Sequence, residues 1–170
     1  MATLPAACGS SSPPPAVLEN ADIPAALHLQ QTQSGTAQSL NQVVSQTYPG
    51  CTAQSAVFTV NGRSPSPVLT GTTIYRQVFS ESATCPSAAK AESVFQALFT
   101  RVKTFGATTV TGVGDAAFLT RSSSAKAQSF DIFWRHGAIL ASVQLAGPVG
   151  DKSVTEAETR VLARRQLARG

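Results

Sequence analysis

Apolar positions recur along this chain with two alternating periods. Between residues 25 and 32, Leu27 and Leu29 fall on every second position, which predicts a short strand with His28 facing the side opposite to them. From Ser34-Gly35-Thr36 the spacing becomes helical. Ala37, Leu40, Val44 and Tyr48 share one face, and Pro49-Gly50 ends the helix. Residues 53–60 alternate again, with Ala56, Phe58 and Val60 on one side. Asn61-Gly62 is a hairpin-type turn signal, and Arg63-Ser64-Pro65-Ser66-Pro67 reads as a loop. Thr72 to Ser80 is rich in β-branched and aromatic residues and predicts a strand.

The strongest helical pattern follows Cys85-Pro86. Ser87 is the expected N-cap, and Ala91, Val94, Phe95, Leu98, Val102 and Phe105 keep helical spacing up to Gly106. Residues 108–111 and Ala117 to Arg121 predict two short strands, followed by a polar loop to Gln128. Phe130, Ile132 and Trp134 then alternate, His136-Gly137 turns the chain, and Ile139, Ala141, Val143 and Leu145 alternate back. Ser153-Val154-Thr155-Glu156 fits a capping box for a last helix that runs to about Arg169. The expected order is β-α-β-β-α-β-β-β-β-α. That is an α+β fold, a largely antiparallel sheet packed by helices, in a single domain over 25–170.

Residues 1–24 read differently. Leu4-Pro5-Ala6-Ala7-Cys8 resembles the end of a bacterial lipoprotein signal, in which the Cys is lipidated. Gly9-Ser10-Ser11-Ser12-Pro13-Pro14-Pro15 looks like the loose, extended spacer that follows such an anchor. Composition agrees with export. Charged residues make up 13% of the chain, against about a quarter in a typical soluble protein. With Cys8 set aside, Cys51 and Cys85 remain, and an even pair in an exported domain reads as a disulfide; two buried free thiols are the alternative. No apolar run approaches the roughly 20 residues of a membrane-crossing helix.

Gly112, Val113, Gly114, Asp115, Ala117 and Phe118 form a late G-[VL]-G-D-x-A-[FYW] turn. With the tethering Cys, the strand pair closed by a Gly turn and the C-terminal helix, this pattern resembles secreted actinobacterial lipoproteins with a PsbP-like α/β/α sandwich. The resemblance implies an envelope protein with a ligand- or partner-binding role and supplies no catalytic residues.

No set of residues announces catalysis. Gly112-x-Gly114-x-x-Ala117 matches a dinucleotide pattern, but Phe118-Leu119-Thr120 reads as strand where the pyrophosphate would need a helix N-terminus. Ser87-x-x-Lys90 and Ser123-x-x-Lys126 have the spacing of a penicillin-binding nucleophile without its companion motifs. His28 and His136 lack a G-x-S-x-G elbow or an H-E-x-x-H pattern to serve. Phe133, Arg135 and Leu140 are a candidate ligand patch if one sheet face is bare. Arg160, Arg164 and Arg165 on the last helix are candidate contacts to an anionic partner, and they carry much of the net charge of +4. The reading is therefore a non-enzymatic envelope binding module without a cofactor or metal. It is anchored to the membrane at Cys8 and has no nucleic-acid partner. An envelope hydrolase using Ser87 or His28, or an assembly protein docking its last helix on anionic lipid, are the rivals.

Overall fold

The computed structural model describes residues 16–36, 48–60 and 75–170. Within them, seven strands form one antiparallel sheet: β1 (Leu29–Thr36), β2 (Thr52–Val60), β3 (Gln77–Thr84), β4 (Thr108–Val110), β5 (Ala116–Ser123), β6 (Ala127–His136) and β7 (Ile139–Pro148). Their order across the sheet is β1-β2-β3-β7-β6-β5-β4. One meander, β1 to β3, thus meets another, β4 to β7, along the β3–β7 ladder. Helix α1 (Ala88–Lys103) carries the chain from central β3 to β4 at the far edge, and α2 (Glu156–Leu167) follows β7.

Strand alternation sends the side chains to two faces, and each face has its own helix. Ala53, Ala83, Leu140 and Phe118 pack against Ala91, Val94, Phe95 and Leu98 of α1. On the other face Ala56, Phe58, Val78, Val143 and Leu145 meet Leu162 of α2, and Leu119, Ile132, Trp134 and Ala141 meet its Ala163. The α+β class and the antiparallel sheet are those expected from the sequence pattern.

Several boundaries differ, each for a local reason. Residues 16–24 are not a free tether: Leu18 is buried in the α2-side core and its amide donates to Ser80 Oγ at 2.9 Å, so the folded part begins before residue 25. Residues 25–27 form a 3-10 turn that His28 ends in a left-handed conformation (φ 52°). Leu27 and Leu29 both face the core, as their spacing suggests, but Leu27 does so from the turn and Leu29 from the first position of β1. Ser34 to Thr36 close β1 rather than opening a helix. The rest of that expected helix, Asn61-Gly62, the Ser-Pro loop, 72–74 and Cys8 lie outside the described residues. The cap of α2 is Thr155, whose hydroxyl accepts from the Glu158 amide at 3.1 Å. Ser153 is held instead by Asp151 Oδ1 at 2.6 Å. Ser87 caps α1 as expected, accepting from the Lys90 amide.

Two devices fix the sheet's α1 end. Cys51 and Cys85 are joined in a disulfide across a separation of 34 residues, tying the start of β2 to the end of β3. The Gly112–Asp115 turn, closing β4 onto β5, is clamped to the β6–β7 hairpin. The Asp115 amide donates to the Arg135 carbonyl at 2.7 Å. Its carboxylate accepts from the Gly137 amide at 2.8 Å and from Arg135 Nη1 at 3.1 Å, with His136 Nδ1 at 2.9 Å. Gly114 (φ 60°) sits so close that a Cβ would lie 2.4 Å from the Arg135 carbonyl oxygen.

Two outcomes are expected. Reducing the disulfide should destabilise the domain by about 3–4 kcal/mol, the loop entropy released to the unfolded chain, visible as a lower Tm with reductant. Gly114→Ala should cost at least about 2 kcal/mol more than Gly137→Ala, which has positive φ but open space around it, in paired denaturant titrations.

Candidate functional site

The α1-side face changes character along the strands. Register places its side chains in rows. The first row is Ala53, Ala83, Leu140, Arg135 and Ala116. The second is Ser55, Glu81, Ser142, Phe133 and Phe118; the third is Val57, Phe79, Gln144, Asp131 and Thr120; the fourth is Thr59, Gln77, Ala146, Ser129 and Ser122. Helix α1 covers the first row and the aromatic end of the second. Beyond it the floor is largely hydroxyls, amides and two carboxylates. The opposite face carries Ala56, Phe58, Val78, Val143 and Leu145 on the same strands. Folding alone favours that apolar filling, so the polar floor is the feature to be explained.

The two acids are the centre of this floor. Tyr48, buried beside the floor, donates from its hydroxyl to Ser142 Oγ at 3.2 Å, and Ser142 donates on to Glu81 Oε2 at 3.3 Å. Asp131 lies between Gln144 and Thr120 in its row. Burial pushes Glu81 up to about 7, with the Ser142 hydrogen bond opposing. Burial likewise pushes Asp131 up to about 7, opposed by the Gln144 bond, aided by the charge of Glu81 and opposed again by Thr120. Burial raises the Tyr48 hydroxyl too. Glu81 and Asp131 are half-buried, and neither is ion-paired with a basic side chain among the described residues. Ser55, opposite Glu81 on β2, is 5% exposed, and its hydroxyl has no hydrogen-bond partner among the described residues.

A cleft of about 420 Å³ lies between α1 and the β4–β5 turn, walled by Phe95, Phe99, Val113 and Phe118. Its aromatic wall is accounted for by packing. The Phe118 ring lies 5.2 Å from Phe95, 5.2 Å from Phe99 and 5.1 Å from Phe133, stacked on the last. The polar floor has no such packing account.

The residues singled out in the sequence are placed elsewhere. Phe133, Arg135 and Leu140 are not a surface patch, because α1 covers this part of the face. Leu140 is 1% exposed, Phe133 stacks on Phe118, and Arg135 pairs with Glu92 and Asp115. Arg160 pairs with Glu156, Arg164 reaches the Gly112 carbonyl, and Arg165 donates to the Asp22 carbonyl. Ser87 and His28 are not brought together. Ser87 lies beyond the Cys51 end of β2, whereas His28 precedes Leu29, which pairs with Val60 at the other end. Nine residues of strand, on the order of 27 Å, separate the two ends. Gly112 and Gly114 turn one strand into the next, and no helix follows them. Glu81 and Asp131 escape sequence reading because periodicity weighs apolar positions. Their signal is compositional: acids are depleted in strand interiors, and each of these stands inside a central strand.

No family model and no curated protein matches the sequence. Among solved structures the chain is similar to the extracellular domain of PknH from Mycobacterium tuberculosis. The identity is 14% and the TM-score 0.56, over 90% of this chain and 91% of that one. The likeness is one of fold.

The acids make stability fall as pH rises. Between about pH 4 and 7 the folded state holds protons on Glu81 and Asp131 that the unfolded chain has released, and above 7 the full cost of burying their charge is present. Asp115, Asp151 and Glu156, all lowered, contribute stability that is lost only in stronger acid. Calorimetry should therefore show a Tm at about pH 5 that is roughly 5–10 °C above that at pH 8, for a loss of about 2–4 kcal/mol. Glu81→Gln with Asp131→Asn should flatten this slope.

Proposed function

We propose that this chain is an exported envelope module, held to the membrane by a lipid on Cys8, that binds its ligand on the polar half of the α1-side face without transforming it. The observation that carries the reading is the floor itself. Hydroxyls, amides and two carboxylates occupy the middle of a seven-stranded sheet whose other face is mainly apolar, with Ser80 and Ser82 its buried hydroxyls on β3. Such a surface lowers stability and gives a ligand many hydrogen-bonding groups on rigid strands.

Export is supported by the Cys51–Cys85 bridge, which persists in oxidising compartments. The shared fold with an extracellular domain is consistent with it. The hydrolase reading gains little, because Ser87 Oγ is engaged in capping α1 and His28 stands at the far end of the sheet. Docking on anionic lipid through α2 gains little as well, because Arg160 is paired with Glu156, and Arg164 and Arg165, though exposed, each bond a backbone carbonyl of the same chain.

Fractionation of the native cells tests the proposal. The protein should be recovered with membranes, its Cys8 peptide heavier by a diacylglycerol, and Cys51 and Cys85 should be alkylated only after reduction. Cys8→Ser should release it from the membrane. Recovery in the cytosol with three free thiols would end this reading.

A further inference from the structure

Most acids of this chain have a cationic partner. Glu19 and Asp22 pair with Arg169, Glu92 with Arg135, Asp115 with Arg135 and His136, Asp151 with Arg76, and Glu156 with Arg121 and Arg160. Glu81, Asp131 and Glu158 have none among the described residues; Glu158 is on the first turn of α2, whereas Glu81 and Asp131 stand on central strands where a charge is most costly. Their neighbours on the floor are neutral: Ser142 and Tyr48 by Glu81, Gln144 and Thr120 by Asp131. Arg135, two rows from Asp131 on β6, is committed to Glu92 and Asp115. Among the described residues the site thus holds two negative groups and no positive one.

We infer that this floor recognises a ligand carrying a protonated amine, held by Glu81 and Asp131 with Ser55 as a further acceptor. The inference rests on the proposed binding function and names the chemistry of its ligand. Three features lead to it. An ammonium group supplies the missing charge and relieves both the repulsion between the acids and their burial. It is a donor of three hydrogen bonds and accepts none, which suits a surface where carboxylate oxygens and an unpartnered hydroxyl face the same side. Glu81 and Asp131 flank β7 one row apart, so their Cα atoms are separated by on the order of 12 Å, a span that suits an extended amine better than a compact ion. A bare metal ion is the poorer fit. Among the described residues no third His, Cys, Asp or Glu gathers with them.

Binding is coupled to protons. Glu81, Asp131 and Tyr48 are the titratable groups at this floor among the described residues, and the amine favours the ionised carboxylates. Complex formation therefore releases protons near neutral pH, and affinity rises as pH rises. The chain's net charge of +4 opposes indiscriminate uptake of cations, so any such binding is local.

Isothermal titration of the full chain with spermidine, at about 0.15 M salt, tests the inference. A saturable one-to-one heat is expected at about pH 8, varying with the ionisation enthalpy of the buffer, and at least about tenfold weaker affinity at pH 5.5. Glu81→Gln and Asp131→Asn should each weaken it by about tenfold or more while raising Tm, which shows that the variants fold. No saturable heat, or a heat that the two substitutions leave unchanged, overturns the inference. N-acetylglucosamine, a neutral probe, separates the layers. If it binds, loses affinity in the same variants, and spermidine does not bind, the amine is overturned and the binding module stands. If neither probe binds, the amine is again overturned, and the fractionation of the Cys8 form decides the module by itself.

Discussion

β3 and β7 pair from Gln77 against Ala146 to Thr84 against Ile139, and this ladder makes one sheet of two meanders. Its partners are far apart in sequence, so it is the last contact that local structure alone could supply and the one on which the rest depends. It puts Glu81 beside Ser142. Through the β6–β7 hairpin it puts Asp131 one row further along the same face. It also gives α1 its two supports, because the helix leaves β3 and lies over Leu140 of β7 and Phe133 of β6. The disulfide reinforces the same region, closing β2 onto the end of β3 where the Cys85 amide donates to the Ala138 carbonyl.

The two faces of the sheet answer to different demands. Apart from Ser80 and Ser82 on β3, the α2 side is filled as hydrophobic burial requires, from Leu18 and Leu29 near one edge to Ala117 and Trp134 towards the other. The α1 side is filled in this way only where the helix reaches. Further along, each carboxylate that ionises does so, among the described residues, with neutral partners in a medium poorer than water. Selection for stability alone would replace them with Val or Leu. Their presence in a domain otherwise stapled by a disulfide and by the Asp115 clamp is a reason to locate function there.

Much of the fold is legible in the sequence. The α1 helix, its Ser87 cap and its Gly106 stop, the β6–β7 hairpin at Gly137, and the paired cysteines follow from spacing and local chemistry. The misreadings share a cause. His28 in a left-handed conformation breaks a strand pattern that alternation treats as continuous, and Asp151 captures Ser153 before it can cap α2. Leu18 looks like part of a tether until Ser80, 62 residues away, receives its amide. The Gly112–Asp115 turn is visible as a turn, but its purpose is not, because Asp115 is satisfied by backbone and side chains of a hairpin some twenty residues later.

The candidate site divides along the same line. The sequence by itself determined that the chain is an α+β domain, because periodicity, caps and turns act over a few residues and leave their mark there; it offered Cys51 and Cys85 as a pair, and the structure joined them. Only the tertiary structure decided which face each strand position serves and what covers it. Phe133 and Leu140, attractive as a surface patch, became core because α1 lies over them. Glu81 and Asp131, inconspicuous in their strands, became neighbours because β7 stands between β3 and β6. Strand order is set by the burial of whole sheets, a sum over the entire chain, and no local stretch of sequence carries it.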